Sequence, residues 1–187
     1  PDEVREALEK LQQPLPSTRW IQPDNLHITL RFIGDVTPPT AREFADNLAG
    51  ISFDPFPIRL RGLNTFGGDS PRVLFAAVEP SAALTDLARA NETAARRAGQ
   101  KPESRKFTPH VTLARLQAPR IDPIARYLSR HGGFATEPFL VSRFVLFSSK
   151  PNTGGGPNVV EQSFPSTMGS FDEFEWEDDD IASGIDC

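Results

Sequence analysis

The sequence predicts an α+β fold: two similar lobes, each a mostly antiparallel sheet with helices outside, around a central cleft. Three observations lead there. One tetrapeptide pattern occurs twice, as His27-Ile28-Thr29-Leu30 and, 83 residues later, as His110-Val111-Thr112-Leu113. The apolar periodicity runs in the order helix-strand-helix-strand-strand and then repeats that order, with one copy of the tetrapeptide at the same place in each run. Glycine-rich links join the last two strands of each run, as hairpins require.

Each element follows from local pattern. Residues 2–13 place Val4, Leu8 and Leu11 at helical spacing with charges between them, and Pro14 and Pro16 end the helix. A link containing Trp20 leads to the first motif strand, over 26–33, closed by Gly34-Asp35. Pro38-Pro39 precede a helix over 40–48, and strands follow over 56–63 and 72–78 around Gly67-Gly68-Asp69. Residues 81–98, rich in Ala and Leu, form the longest helix, with Gly99 as its cap. A basic loop carrying Lys101, Arg105 and Lys106 delivers the second motif strand. A helix over 122–130 stops at Gly132-Gly133, and strands over 139–148 and 158–164 enclose a Gly154-Gly155-Gly156 loop. The globular domain is expected over 1–168. The remainder, 169–187, shows no apolar periodicity beyond Phe171, Phe174 and Trp176 and reads as a disordered acidic tail, or as an acidic-aromatic interaction segment.

Composition narrows the function classes. A chain of 187 residues with 38% hydrophobic content suits one soluble domain. No apolar run approaches the roughly 18–20 residues of a membrane helix, and no secretory signal opens the sequence. The single cysteine, Cys187, cannot form an internal disulfide, so a reducing, cytoplasmic location is expected. A monomer is expected as well. The net charge of −5 conceals a division. Residues 169–187 carry eight acidic groups and no Lys or Arg, which leaves 20 basic against 17 acidic groups in the rest. The domain is therefore mildly basic. It suits a nucleotide or an RNA end better than a long duplex.

The repeated motif carries the chemistry. Side chains alternate along an extended segment, so His27 and Thr29 share one face while Ile28 and Leu30 share the other. His110 and Thr112 stand in the same relation to Val111 and Leu113. Two such strands at one cleft would bring two imidazoles and two hydroxyls around an anion. A duplicated structure would keep the apolar positions, but it gives no reason to keep both histidines in a chain that has only three. Cleaving a phosphate ester needs a base to activate the attacking oxygen and an acid to protonate the departing one. Histidine suits both tasks, because its reference pKa of about 6.5 leaves both forms available near neutrality.

Other chemistries fit less well. A zinc site needs three or four ligands at close spacing, and His131 reads as a histidine at a helix C-terminus, favoured by the dipole. There is no G-x-S-x-G elbow, P-loop or dinucleotide fingerprint. The triple glycine reads as a hairpin loop, and Asp178-Asp179-Asp180 as solvated tail.

Residues 25–34, Asn-Leu-His-Ile-Thr-Leu-Arg-Phe-Ile-Gly, together with 107–115, Phe-Thr-Pro-His-Val-Thr-Leu-Ala-Arg, resemble the 2H phosphoesterase superfamily. Within it the chain is similar to the RNA 2′,3′-cyclic phosphodiesterases, once called 2′-5′ RNA ligases, over about residues 1–165. The resemblance implies a bilobal fold, no metal or other cofactor, RNA 3′ ends or cyclic nucleotides as substrate, and hydrolysis to a 2′-phosphate. It also implies His27 as proton donor and His110 as proton acceptor, although the residues themselves assign neither role. Thr29 and Thr112 would donate hydrogen bonds to the non-bridging phosphate oxygens. Ligation at the same site in reverse, and a non-catalytic module that only grips an RNA end or nucleotide, remain as alternatives.

Arg115 matches a family position for phosphate contact, but its odd offset from His110 points it to the opposite face. It reaches the cleft only if the strand ends or bulges near Ala114. Arg31 has the right parity relative to His27, although an exposed strand arginine is expected. Phe32 and Phe107 flank the motifs and could stack a nucleobase, but in a chain with 14 phenylalanines both are expected to pack in the core. Members of the family usually open with an apolar strand. Here residues 1–3 already read as helix, so a sheet edge or a core face is expected to lie uncovered.

Overall fold

The computed structural model describes residues 1–149 and 158–167. The acidic segment 169–187 and the triple-glycine loop lie outside those residues. Helix α1 (Asp2–Glu9) leads to a short strand, β1 (Thr18–Trp20), then a single 3-10 turn (Pro23–Asn25), then α2 (Pro38–Ala49). Strands β2 (Phe56–Ile58), β3 (Leu60–Phe66) and β4 (Val73–Val78) precede the longest helix, α3 (Ala82–Arg97). The second motif opens β5 (His110–Leu116), followed by α4 (Ile121–Arg130) and strands β6 (Phe139–Val141), β7 (Arg143–Ser149) and β8 (Asn158–Pro165). None of the described helices is long and apolar enough to cross a membrane.

The duplication runs through the architecture. The 83-residue offset of the motifs also separates the starts of α2 and α4, of β2 and β6, and of β3 and β7. Strands β2 and β6 pair antiparallel, with Pro57 opposite Leu140, Phe56 opposite Val141 and Ile58 opposite Phe139. A residue thus pairs with its own counterpart, and the flanking pairs exchange symmetrically. That register defines a pseudo-two-fold axis.

The sheets interleave the two halves. The largest has the order β1-β5-β4-β3, all antiparallel, so the β3–β4 hairpin of the first half docks on the motif strand of the second. Reciprocally, the β7–β8 hairpin of the second half lies beside the first motif, where the Asn158 amide donates to Asn25 Oδ1 and the Phe147 ring meets the His27 ring. Helix α3 buries Leu84, Leu87, Ala88, Asn91, Ala94 and Ala95, a stripe at helical spacing. Both of its ends are capped, the C-terminal one at the expected Gly99. Ser81 Oγ accepts from the Leu84 amide. Gly99 adopts φ +79°, while its own amide and that of Gln100 bond back to the Arg96 and Ala95 carbonyls. The core centres on Leu48, Leu60, Leu74 and Leu113, which are fully buried.

Three sequence expectations require correction. The strands expected over 56–63 and 139–148 each divide, at Arg59 and Ser142, which are again 83 residues apart. At both breaks the carbonyl finds a partner outside the strand, the Glu79 amide and the Ser166 amide respectively, so neither carbonyl is stranded. Trp20 belongs to a strand because its segment pairs with the edge of β5. The first motif is not a regular strand over 26–33. After the 3-10 turn it touches β5 at one bridge, Ile28 with Val111, and then departs.

Helices α1 and α4 are joined by the one tyrosine of the chain. Tyr127, buried, donates its hydroxyl to the Leu11 carbonyl at 2.7 Å, and burial pushes its pKa up from 10.0 to about 12. A raised pKa means that the fold favours the neutral phenol. That stabilisation is complete below the unfolded value of about 10 and is lost as pH climbs through about 12. Thermal melts from pH 9 to 12 are expected to show a loss that tracks the tyrosinate absorbance. Tyr127→Phe is expected to remove that alkaline limb and to cost about 1 kcal/mol at neutral pH for the lost hydrogen bond.

Candidate active site

Two backbone pairs lie on the pseudo-two-fold axis, and the second is the bridge between Ile28 and Val111, residues that are themselves 83 apart. Carried one residue to either side, this antiparallel register sets His27 opposite Thr112 and Thr29 opposite His110. Each imidazole of one motif thus faces the hydroxyl of the other. The apolar members point the other way: Val111 and Leu113 are buried, and Ile28 and Leu30 pack against the core. His27 and Thr29 are exposed, while His110 and Thr112 are half-buried.

The imidazoles are held alike. His27 Nδ1 lies 2.8 Å from the Asn25 carbonyl and His110 Nδ1 lies 2.7 Å from the Thr108 carbonyl. A carbonyl only accepts, so each Nδ1 carries a hydrogen and donates. In both rings Nε2 is therefore the atom that gains or loses a proton, as a lone-pair base when neutral and an N–H acid when charged.

Arg115 reaches the same face through a bulge. On β5 Thr112 pairs with Phe75 and Ala114 with Leu74, so Leu113 is an extra residue against β4. The extra residue resets the parity. His110, Thr112 and Arg115 oppose Ala77, Phe75 and Val73, which share one face of β4. On its other side Arg115 pairs with Arg19 of β1. The structure thus gathers His27, Thr29, His110 and Thr112 about one bridge and puts Arg115 further along the same face, exposed to solvent.

Arg31 departs from expectation. Its side chain is only 10% exposed and is bonded to Glu92 of α3 at 2.5 Å, to the Lys101 carbonyl at 2.7 Å and to the Phe32 carbonyl, with Glu103 at 3.9 Å. Glu92 also accepts from the Glu103 amide. Glu103 in turn has its pKa lowered to about 2, chiefly by the Arg105 side chain that hydrogen-bonds it. This network ties the segment after the first motif to the loop that precedes the second. His131 terminates α4 as expected. Phe107 packs against the core as expected, whereas Phe32 is 68% exposed.

Three phenylalanines at the site carry no signal in the sequence, because none lies near a motif in the chain. Phe66 meets the His110 ring edge-on at 4.8 Å and stacks on Phe75 at 4.1 Å. Phe75 lies 5.2 Å from His110, and Phe147 lies 5.7 Å from His27. Beside the first motif is a cavity of ≈ 180 Å³ whose lining includes Val4, Arg5, Leu8, Leu26, His27, Ile28, Leu60, Val111 and Phe139.

Comparisons with known proteins agree on one family. The model of the 2′-5′ RNA ligase superfamily matches residues 1–153. An RNA 2′,3′-cyclic phosphodiesterase of Aquifex aeolicus is 32% identical over 168 residues, covering 87% of this chain and 89% of that protein. One from Aeropyrum pernix is 42% identical over 119 residues, covering 62% of this chain and 66% of its own length, just under two thirds. Among solved structures, Escherichia coli LigT complexed with 3′-AMP superposes with a TM-score of 0.73 at 26% identity, covering 90% of this chain and 94% of that one. A protein of Thermus thermophilus gives 0.71 at 25% identity, covering 88% and 92%.

The Arg31 network sets a stability test. Arg31→Met leaves Glu92 partly buried beside an apolar group and is expected to lower the unfolding free energy in urea by roughly 1–3 kcal/mol. Arg5→Met, whose partner Asp2 stands in solvent, is expected to change it by less than about 0.5 kcal/mol.

Proposed function

The chain belongs to the 2′-5′ RNA ligase superfamily, and we propose that it opens RNA or nucleotide 2′,3′-cyclic phosphates to 2′-phosphates by acid–base catalysis from its two histidines. The observation that carries the reading is the two-fold relation of those histidines, each with Nδ1 held by the carbonyl two residues before it. In-line displacement at phosphorus has an entering oxygen on one side and a departing oxygen on the other. Two imidazoles related by an axis through the site suit that demand.

In this scheme neutral His110 accepts a proton from water through Nε2 as the water oxygen bonds to phosphorus. Protonated His27 gives its Nε2 proton to the ribose 3′ oxygen as the P–O3′ bond breaks, leaving the phosphate on O2′. That assignment of donor and acceptor follows the family resemblance. Thr29, opposite His110, and Thr112, opposite His27, donate to the non-bridging oxygens as charge builds on them. Arg115 lies too far along β5 to join the bridge residues, and its exposed guanidinium suits a substrate phosphate approaching along the same face. All of these groups belong to one chain, so a monomer suffices, and an RNA-end substrate fits the cytoplasmic location expected from composition. Ligation is the same chemistry reversed and would need an RNA 5′-hydroxyl in place of water. The names of the relatives favour hydrolysis.

His27→Ala and His110→Ala are each expected to lower the rate on a 2′,3′-cyclic nucleotide by about 10²–10⁴-fold, the range for one acid–base group. The double variant should lose little more than either single one, because the pair acts as a unit. Undiminished turnover by both single variants would remove the scheme, and no turnover by the wild-type protein would leave only a binding module. The rate should persist in EDTA and follow a bell-shaped pH profile, one limb for the imidazole that must be neutral and one for the imidazole that must be charged. A rate that climbs steadily with pH would point to hydroxide attack instead.

A further inference from the structure

The Phe66 ring is built as a platform. It ends β3 immediately before a tight turn in which Gly67 has φ +117° and Gly68 φ +56°. A Cβ on Gly67 would stand 2.4 Å from the Ser70 carbonyl oxygen, so the close turn admits no side chain there. One face of Phe66 rests on Phe75 at 4.1 Å and 21°, and Phe75 is itself buried. An edge-on contact at 4.8 Å joins it to His110. Yet Phe66 is 36% exposed, so the stack of two rings ends beside the imidazole with an open face. Leaving a large apolar ring in water carries a cost that burial elsewhere would avoid. Held on two sides, the ring also loses little freedom when something stacks on it.

We propose that Phe66 is the surface on which the terminal nucleobase of the substrate stacks, continuing the Phe75–Phe66 column, so that base contact as well as the phosphate selects the substrate. The inference rests on the hydrolase reading above and adds a base-recognition element to it. The geometry is consistent, since the phosphate would lie at the histidines and the base one ribose away, alongside the ring that already touches His110. Phe147, beside His27, is the competing surface, at 38% exposure. Its ring lies further from its imidazole and has no second ring behind it among the described residues, so it is the less constrained of the two.

The test compares three substrates: adenosine 2′,3′-cyclic phosphate, uridine 2′,3′-cyclic phosphate and the base-free ribose 2,3-cyclic phosphate. Phe66→Leu keeps apolar bulk against Phe75 and removes the aromatic face. It is expected to raise KM for the adenosine substrate on the order of 10-fold, and for uridine by less. The base-free substrate should be unaffected, with kcat close to wild type throughout, and Phe66→Trp should restore the adenosine KM. Equal losses on all three substrates would mean that Phe66 only supports His110, and an effect that follows Phe147→Leu in place of Phe66→Leu would move the base to the other side. Either result overturns the proposal. Calorimetry with adenosine 2′-phosphate and ribose 2-phosphate makes the same comparison by binding alone. It decides the role of Phe66 even if the wild-type protein turns over none of the three substrates, an outcome that would remove the hydrolase reading.

Discussion

The contact between Ile28 and Val111 governs the polar face. These residues occupy equivalent places in the two halves, and their single antiparallel bridge sets the register that brings each histidine opposite the threonine of the other motif. The contact is apolar on one side and chemical on the other. Val111 is buried and Ile28 packs against the core, so the same alternation that seats them inside turns the imidazoles and hydroxyls outward. A one-residue slip would reverse the faces of both segments. The core side of the bridge therefore defends the geometry of the polar side.

A single bridge does not hold a segment rigidly, and the rest of the structure supplies what the ladder lacks. The second motif sits in the four-stranded sheet, flanked by β1 and β4. Among the described residues the first pairs with a strand at one bridge alone. It is fixed instead by side chains: Asn25 takes the amide at the start of β8, and Arg31 is clamped by Glu92 and by the carbonyl of Lys101. The two halves thus reach equivalent positions for their histidines by different means.

How far the sequence discloses this varies with the physical cause. Helices α1 to α4 are marked by apolar spacing, proline and capping residues, all local signals, and each lies within a few residues of its expected place. The motif histidines announce themselves by recurrence. What is not legible depends on partners distant in the chain. The bend at Arg59 and Ser142 arises because the backbone there pairs outside its own strand. The bulge at Leu113, which turns Arg115 to the histidine face, is set by β4 and leaves no mark on β5 itself. The Phe66–Phe75–His110 cluster gathers residues from three strands, and no pattern along any one of them hints at it. Arg31 illustrates the converse: its parity is readable, but its burial depends on Glu92, which belongs to another element.

Because each hairpin docks on the motif of the other half, the order of synthesis bears on when the site can exist. As the chain leaves the ribosome, the first motif emerges long before Val111, and the β3–β4 hairpin forms with its outer edge waiting for β5. No fragment ending before residue 111 holds both sides of the axis. Contacts of such sequence separation carry a loop-closure cost that is met before they give anything back, which slows folding and prolongs the exposure of open strand edges. The polar face would be among the last features to assemble, so a nascent chain lacks the paired histidines until its second half has folded onto its first.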